Sequence, residues 1–295
     1  MEDETSILRI SRIVAVGISG SGSNIIKNMM NKKIPGIELI IVETDAQNSY
    51  ESLRQTLEGA DVVFLIVGLG GITGIYTAPI IAKIAKSVGA LTISVVSKPF
   101  TIEGSNRLAN AEEALEKLNR VTDSMIVIPN DKLLTLMNPD WPLDDAFKFI
   151  DDVVARVING ISGVILPSGE EDINLDYIDL ETIMTHQGLA GVGIGEYQGN
   201  NAAYEAINDA IKFPMVDGVS IENASGVLVH FSMHPEFHFM ELSAAMEVIH
   251  KSVAERADVI FGTTTDKSLP LDFIRVIVIA AGVDKSPILA VNNVY

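Results

Sequence analysis

The sequence predicts an α/β protein: a Rossmann-like parallel sheet covered on both faces, a long central helix, and a second α+β domain with a mixed sheet. Three observations carry this prediction. Short apolar runs alternate with helical patterns from Arg12 to Asn130, as in a parallel sheet whose strands are buried on both faces. One unbroken helical pattern follows over Asp144–Ile165. Beyond it, further apolar runs come with helices of their own. The boundaries read 1–142, 143–167 and 168–295.

The elements follow in order. RIVAVGI (Arg12–Ile18) is a buried strand, and a Gly/Ser turn then opens a helix at SGSNIIKNMMNK. IELIIVE (Ile37–Glu43) is a second strand, and SYESLRQTLEG (Ser49–Gly59) a short helix. DVVFLIV (Asp61–Val67) is a third strand; it enters the glycine-rich stretch Gly68–Tyr76, from which a helix leaves over Thr77–Gly89. LTISVVS (Leu91–Ser97), a helix from Glu103 to about Asn119, and SMIVIPN (Ser124–Asn130) complete the first half. In the central helix Ala146, Phe149, Val153, Val154 and Ile158 step at helical spacing. The second half reads as a helix near Tyr177–His186, a strand near Ala190–Ile194 and a helix near Ala202–Lys212. Strands at Gly226–Ser232, Asp258–Thr264 and Phe273–Ala281 follow, with a helix at Phe239–Ala254.

The 295 residues are 47% hydrophobic, enough for a full core, and no apolar run is long enough to span a bilayer. The formal charge of −18 argues against a nucleic-acid groove or an anionic membrane surface as partner, and against direct membrane insertion. The absence of cysteine excludes disulfides, zinc-thiolate sites and a cysteine nucleophile; a cytoplasmic protein fits. His230, His234 and His238 are spaced by four, but they span a strand and a Pro-broken loop, so no metal site is expected.

In parallel sheets, ligands sit at the carboxyl ends of the strands. The notable residues gather there: Gly17–Asn24, Glu43–Gln47, Gly68–Tyr76, Lys98–Arg107 and Asn130. Gly17, Gly20, Ser21 and Gly22 let the backbone approach an anion, and Asn24 is placed in the first turn of the helix whose dipole favours phosphate. With Glu43 ending the second strand, a dinucleotide fold is the rival, but the glycine order is G-x-x-G-x-G and not G-x-G-x-x-G.

VGISGSGSN, ETDAQ, GLGGITG with TAP, SKPFTIEGSNR, VIPNDKLL, AFKFIDDV and NLDYID occur in that order. In this series the chain resembles FtsZ, the bacterial and archaeal relative of tubulin, from about Arg12 to Gly282. The resemblance implies a GTP-binding domain, a guanine nucleotide (GTP or GDP) with magnesium as companion, and subunits stacked head to tail. It also implies a GTPase completed at the subunit interface. Other FtsZ-like subunits or division proteins are the partners it suggests.

By the same resemblance, Gly70, Gly71, Thr73 and Gly74 frame a phosphate loop and Asp45 lies near the phosphates or their metal. Pro99, Glu103, Arg107 and Asn130 belong to the sugar and base side. Phe147 lies against guanine, and Asp152, preceded by Asp151 where FtsZ usually has Asn, accepts from the guanine edge. Asn174, Asp176 and Asp179 match the loop that acts on water in the neighbouring subunit's pocket. Each also has a plain structural role: Glu103 and Arg107 as an i,i+4 pair, Asp151 and Asp152 as a solvated helix face, Phe147 as core, Asp176 as a helix cap with Asp179 in its first turn.

Two departures leave an alternative open. The chain runs from ETDAQ through one short helix into the third strand, without the further glycine-rich loop by which FtsZ contacts the γ-phosphate. Ile72, Ile75 and Tyr76 stand within the phosphate signature, where bulk is expected to crowd the phosphates. The alternative is an FtsZ-like protein with weak or lost nucleotide binding and hydrolysis that acts through protein contacts. The linker and short C-terminal peptide by which FtsZ meets membrane adaptors have no counterpart in these residues.

Overall fold

The computed structural model describes residues 11–43, 50–166, 172–186, 188–212 and 220–283. In the first half, β1 (Ile13–Ile18), α1 (Ser19–Lys32), β2 (Ile37–Val42), α2 (Tyr50–Leu57), β3 (Val62–Gly68) and α3 (Ile72–Ser87) come first. Then follow β4 (Leu91–Lys98), α4 (Ser105–Asn119), β5 (Ser124–Pro129) and the single turn α5 (Asn130–Leu133). The central helix is α6 (Leu143–Ile165), and α7 (Tyr177–Met184) lies beyond it. The second half holds β6 (Leu189–Gln198), α8 (Ala202–Lys212), β7 (Gly226–Met233), α9 (Phe239–Ser252), β8 (Asp258–Thr265) and β9 (Phe273–Val283).

The strands form one nine-stranded sheet in the order β2-β1-β3-β4-β5-β6-β9-β7-β8. From β2 to β6 all pairings are parallel; β9 is antiparallel to both β6 and β7, and β8 is parallel to β7. The sequence suggests two separate sheets, yet the halves are one sheet. The join is narrow: only Met125↔Leu189 and Ile126↔Ala190 pair between β5 and β6.

β1, β3 and β5 are buried along their whole length or nearly so, which is why they read as unbroken apolar runs. On α6 the buried stripe begins at Ile150 and continues through Val153, Val154, Val157, Ile158 and Ile161. Ala146 and Phe149, part of the predicted stripe, are only half-buried. A second core joins α8 and α9 to β7 and β9, with Ile207, Phe231, Ile249 and Val276 at its centre. The two halves meet tightly at Gly160, where a Cβ would lie 2.3 Å from Ile277 Cδ1.

α6 has 23 residues and is therefore about 34 Å long. Its first turns lie by the carboxyl ends of the parallel strands. Its last residues lie by their amino ends, where Leu166 packs against Gly36 just before β2. Whatever the two ends of α6 carry is thereby held on opposite faces of the molecule.

Candidate functional site

Three helices, α1, α3 and α4, begin at the carboxyl ends of β1, β3 and β4. None has a side-chain cap and none has an acid in its first turn. Uncapped first-turn N–H groups together with the helix dipole make an anion-seeking surface. Glycines draw the strands' ends together there. A Cβ on Gly17 would lie 2.4 Å from Gly22 O, one on Gly22 2.3 Å from Ile66 O, and one on Gly68 2.5 Å from Ser21 Cβ. Gly70 turns with φ +102°, beside Pro99 and Arg107, and Asn110 Nδ2 donates to its carbonyl at 3.1 Å. Gly20 and Gly71 face open space.

The glycine stretches are more helical than the sequence suggests. α1 starts at Ser19, so Ser21 and Gly22 already lie in its first turns and Asn24 is the sixth helical residue, past the turn expected for it. α3 starts at Ile72, so Thr73 and Gly74 are helical. Thr73 Oγ1 and Ser19 Oγ are 3.4 Å apart and bridge the two helix starts.

The expected crowding by Ile72, Ile75 and Tyr76 does not arise at Ile75. Its side chain is buried in line with Ala78, Ala82 and Ala85, because that is the core-facing stripe of α3. Tyr76 and Ile72 are exposed, and the Tyr76 ring lies 4.6 Å beneath Lys117 Nζ on α4. Arg107, which flanks Gly70, lies more than two turns earlier on that helix, so the ring sits beyond the glycine turn.

The flank of the site comes from β5 and α6. Asn130, at the end of β5, is 5% exposed, and its Oδ1 has no hydrogen-bond partner. Phe147 is half-exposed and meets Phe100 edge to face at 5.8 Å. Glu103 closes its own turn: Oε1 accepts from the Phe100 amide at 2.8 Å and Oε2 from Arg107 at 2.7 Å. The i,i+4 pair read from the sequence is therefore formed. Thr101 binds Asp131 through its amide and its hydroxyl, fixing this turn to α5.

The neighbouring acids part ways. Asp152 turns to α1, where Oδ1 accepts from Asn28 at 2.5 Å and Lys32 at 2.7 Å. Burial works against its charge, but these two bonds and nearby cations outweigh it and hold its pKa below the usual carboxylate range. Asp151 is one helical turn from Phe147, on the same face. Burial, and secondarily the charge of Asp152, push its carboxyl up to about 6. The sequence alone did not separate the two; their difference depends on what α1 offers.

Asp45 lies outside the described residues. Asn174, Asp176 and Asp179 gather at the head of α7. Asp176 Oδ1 accepts from the amides of Ile178 (2.7 Å) and Asp179 (3.0 Å), while Asp179 Oδ2 accepts from the Asp176 amide at 2.9 Å. This reciprocal cap is the local role expected of these acids. The three do not join the glycine cluster. Behind them, burial, the 2.8 Å hydrogen bond to Glu181 and the charges of Asp61 and Asp123 push the Tyr177 hydroxyl up. Asp61 and Asp123 precede β3 and β5, at the amino ends of the sheet, so α7 begins on the face opposite the glycines. The histidines also part: His230 is buried in β7 against Thr264 Oγ1 (3.0 Å), and His234 Nδ1 accepts from the Glu236 amide.

Comparison with known proteins gives two family matches: Tubulin/FtsZ family, GTPase domain, over residues 40–138, and FtsZ family, C-terminal domain, over residues 188–284. The cell division protein FtsZ of Helicobacter pylori strain J99 is 35% identical over 312 aligned positions, spanning 94% of this chain and 80% of that protein. Among solved structures, an empty FtsZ dimer of M. jannaschii is similar with a TM-score of 0.83 and 32% identity, over 93% of this chain and 89% of that one. GDP-bound CetZ1 of Haloferax volcanii shares the fold, with a TM-score of 0.75 at 15% identity over 94% and 96% of the two chains.

Proposed function

The chain belongs to the tubulin/FtsZ family, as an FtsZ-like member, and we propose that it binds a guanine nucleotide at the carboxyl ends of β1, β3, β4 and β5. The observation that carries this reading is the convergence of three uncapped helix starts, α1, α3 and α4, around Gly17, Gly22, Gly68 and Gly70. Backbone N–H groups can hold phosphate there despite the chain's charge of −18. Gly20 and Gly71 leave open space beside these helix starts, Thr73 reaches Ser19 across them, and Gly74 packs inward against Leu69 and Ala114. The buried, unpartnered Asn130 Oδ1 suits a sugar hydroxyl, and Glu103 and Arg107 close that side. Phe147 offers a face to the base. Asp151, one turn on, supplies the acceptor pair that guanine N1–H and its amino group require, while Asp152 holds α1. A magnesium ion would neutralise phosphate charge, and by the resemblance Asp45 would lie near the phosphates or this ion.

We propose further that subunits assemble head to tail and that hydrolysis is completed between them. Asn174, Asp176 and Asp179 sit at the end of α6 opposite to Phe147 and Asp151, so one subunit cannot bring its own loop to its own nucleotide. In a stacked pair the exposed Asn174 and Asp176 would orient the attacking water, and Asp179 would polarise it through the capped turn. A second reading rests on one observation: β2 joins α2 through only residues 43–49, too short for a separate γ-phosphate loop. In that reading the nucleotide is held without discrimination of GTP from GDP and turnover is lost.

Calorimetric titration with GTP and GDP, combined with phosphate release at increasing protein concentration, tests both readings. Turnover per subunit that rises steeply with concentration supports the interfacial GTPase. No binding at millimolar nucleotide overturns the site itself.

A further inference from the structure

The loop that leads into α7 is strapped to the edge strand β8. The Thr263 amide donates to Ile173 O at 3.0 Å, and the Ile173 amide donates to Thr263 Oγ1 at 2.9 Å. The Thr265 amide donates to Asp172 Oδ2 at 3.1 Å. Alternate amides of an edge strand point outward, so Thr263 and Thr265 present theirs on the same side. Gly262 leaves room for the loop: a Cβ there would lie 2.5 Å from Leu175 Cγ and 2.9 Å from Ile173 O. Thr264 faces the other way, with its hydroxyl on the buried His230. Residues 172, 173 and 175 are therefore fixed to β8, and Asp176 is fixed by its cap to α7. Asn174 sits between these anchors.

Thr263 is 5% exposed and makes a two-way clasp with Ile173. A hydroxyl is needed for one half of that clasp. Valine has the same shape but cannot accept from the Ile173 amide, which would be left without that partner. The residue before Asn174 would then be free to swing, and a misplacement of about 1 Å is enough to lose most of an oriented attack.

We propose that Thr263, with the clearance provided by Gly262, is a positioning residue for hydrolysis: it sets where Asn174 and Asp176 project into a neighbouring subunit's nucleotide. This rests on the interfacial GTPase reading above. Thr263 does not touch nucleotide, and it lies on the loop's face of the molecule, away from the glycine cluster. Its loss therefore acts on turnover and not on binding.

The test is Thr263→Val beside Thr263→Ser, with Gly262→Ala as an independent way to displace the loop. The expected result for Thr263→Val and Gly262→Ala is kcat lower by about tenfold or more at saturating protein. GTP affinity of the isolated subunit and the protein concentration needed for assembly stay within about twofold of wild type. Thr263→Ser, which keeps the acceptor, retains most of kcat. The inference is overturned if Thr263→Val turns over like wild type, if Thr263→Ser is as slow as Thr263→Val, or if nucleotide affinity falls along with kcat. A wild-type protein that binds GTP but never turns over removes the GTPase reading and this inference together. A wild type that turns over beside an unaffected Thr263→Val removes this inference alone.

Discussion

Ser19 holds φ at +61°, a left-handed conformation that costs a non-glycine residue about 1–2 kcal/mol. It sits where β1 turns into α1, between Gly17 and Gly20, and its hydroxyl faces Thr73 across 3.4 Å. Ser19→Gly should raise thermal stability by up to about 1 kcal/mol, read as a rise in Tm, because glycine adopts this φ without a Cβ penalty. Asp151 carries a sharper prediction. Its folded-state pKa of about 6 lies above the ordinary 3.8, first from burial and then from Asp152. The folded chain thus holds the proton more tightly than the unfolded one. This contribution to stability is fully present below pH 4 and is lost as pH rises to about 6. Asp151→Asn should therefore stabilise the nucleotide-free protein at pH 7 by on the order of 1 kcal/mol, after solvent screening is allowed for. Asp151→Ala, which removes both acceptors, should weaken GTP binding by roughly tenfold or more. Wild-type affinity should itself fall as pH drops below about 6. An Asp151→Asn variant less stable than wild type, or an Asp151→Ala variant equally tight in binding, would contradict the assignment. Both carboxylates are legible in the sequence as site candidates. Which one α1 would claim is not, because Asn28 and Lys32 are more than a hundred residues away along the chain.

Helix starts differ by position. α7 is closed by the reciprocal Asp176–Asp179 cap, whereas α1, α3 and α4 leave their first-turn amides uncapped by side chains. α6 and α9 are also uncapped but carry acids in their first turns, whereas α1, α3 and α4 have neither cap nor acid and so offer their donors to an anion. Asp179→Asn separates the two roles of that acid. It keeps an oxygen for the Asp176 amide, so Tm should change by less than about 0.5–1 kcal/mol in stability. Phosphate release should fall by tenfold or more as the charge is lost. Equal turnover in Asp179→Asn and wild type would remove the loop's assigned role. α3 shows how an element decides a residue's meaning. As a loop, Ile75 reads as an obstruction; as the fourth residue of a helix it is core, in line with Ala78 and Ala82.

At the scale of the molecule, α6 spans the sheet from its carboxyl to its amino ends and separates the glycine cluster from the head of α7. Two inactive variants should then restore one another. Asp179→Asn subunits bind GTP but lack the loop's charge, and Asp151→Ala subunits bind poorly but carry an intact loop. Mixed in equal amounts at concentrations that assemble, they should recover turnover well above either alone, measured as phosphate release. No recovery would place hydrolysis within one subunit, against the distance imposed by α6. The short β2–α2 connection gives a second whole-chain prediction. GTP and GDP affinities should differ by less than about tenfold, within the ~1.4 kcal/mol that one modest γ-phosphate contact supplies. A much larger preference for GTP would mean that other residues read the γ-phosphate.

Much of this was determined by local sequence. Apolar runs such as VVFLIV, short, rich in β-branched residues and bounded by turns, read as inner strands, and the stripe Ile150, Val153, Val154, Val157 of α6 is set by helical periodicity. Glycines at 17, 22 and 68 mark close approach because a Cβ there would lie 2.3–2.5 Å from a neighbour, and Gly70 marks a turn at positive φ. The acids of NLDYID are legible as a cap because capping is a contact over two or three residues. Tertiary structure alone decided that β5 and β6 join two halves into one sheet, that Asp152 belongs to α1 while Asp151 remains beside Phe147, and that Thr263 clasps the loop of Asn174. These are contacts between residues 64 to 124 positions apart. They depend on where whole elements pack, and periodicity and turn chemistry act over only a few residues.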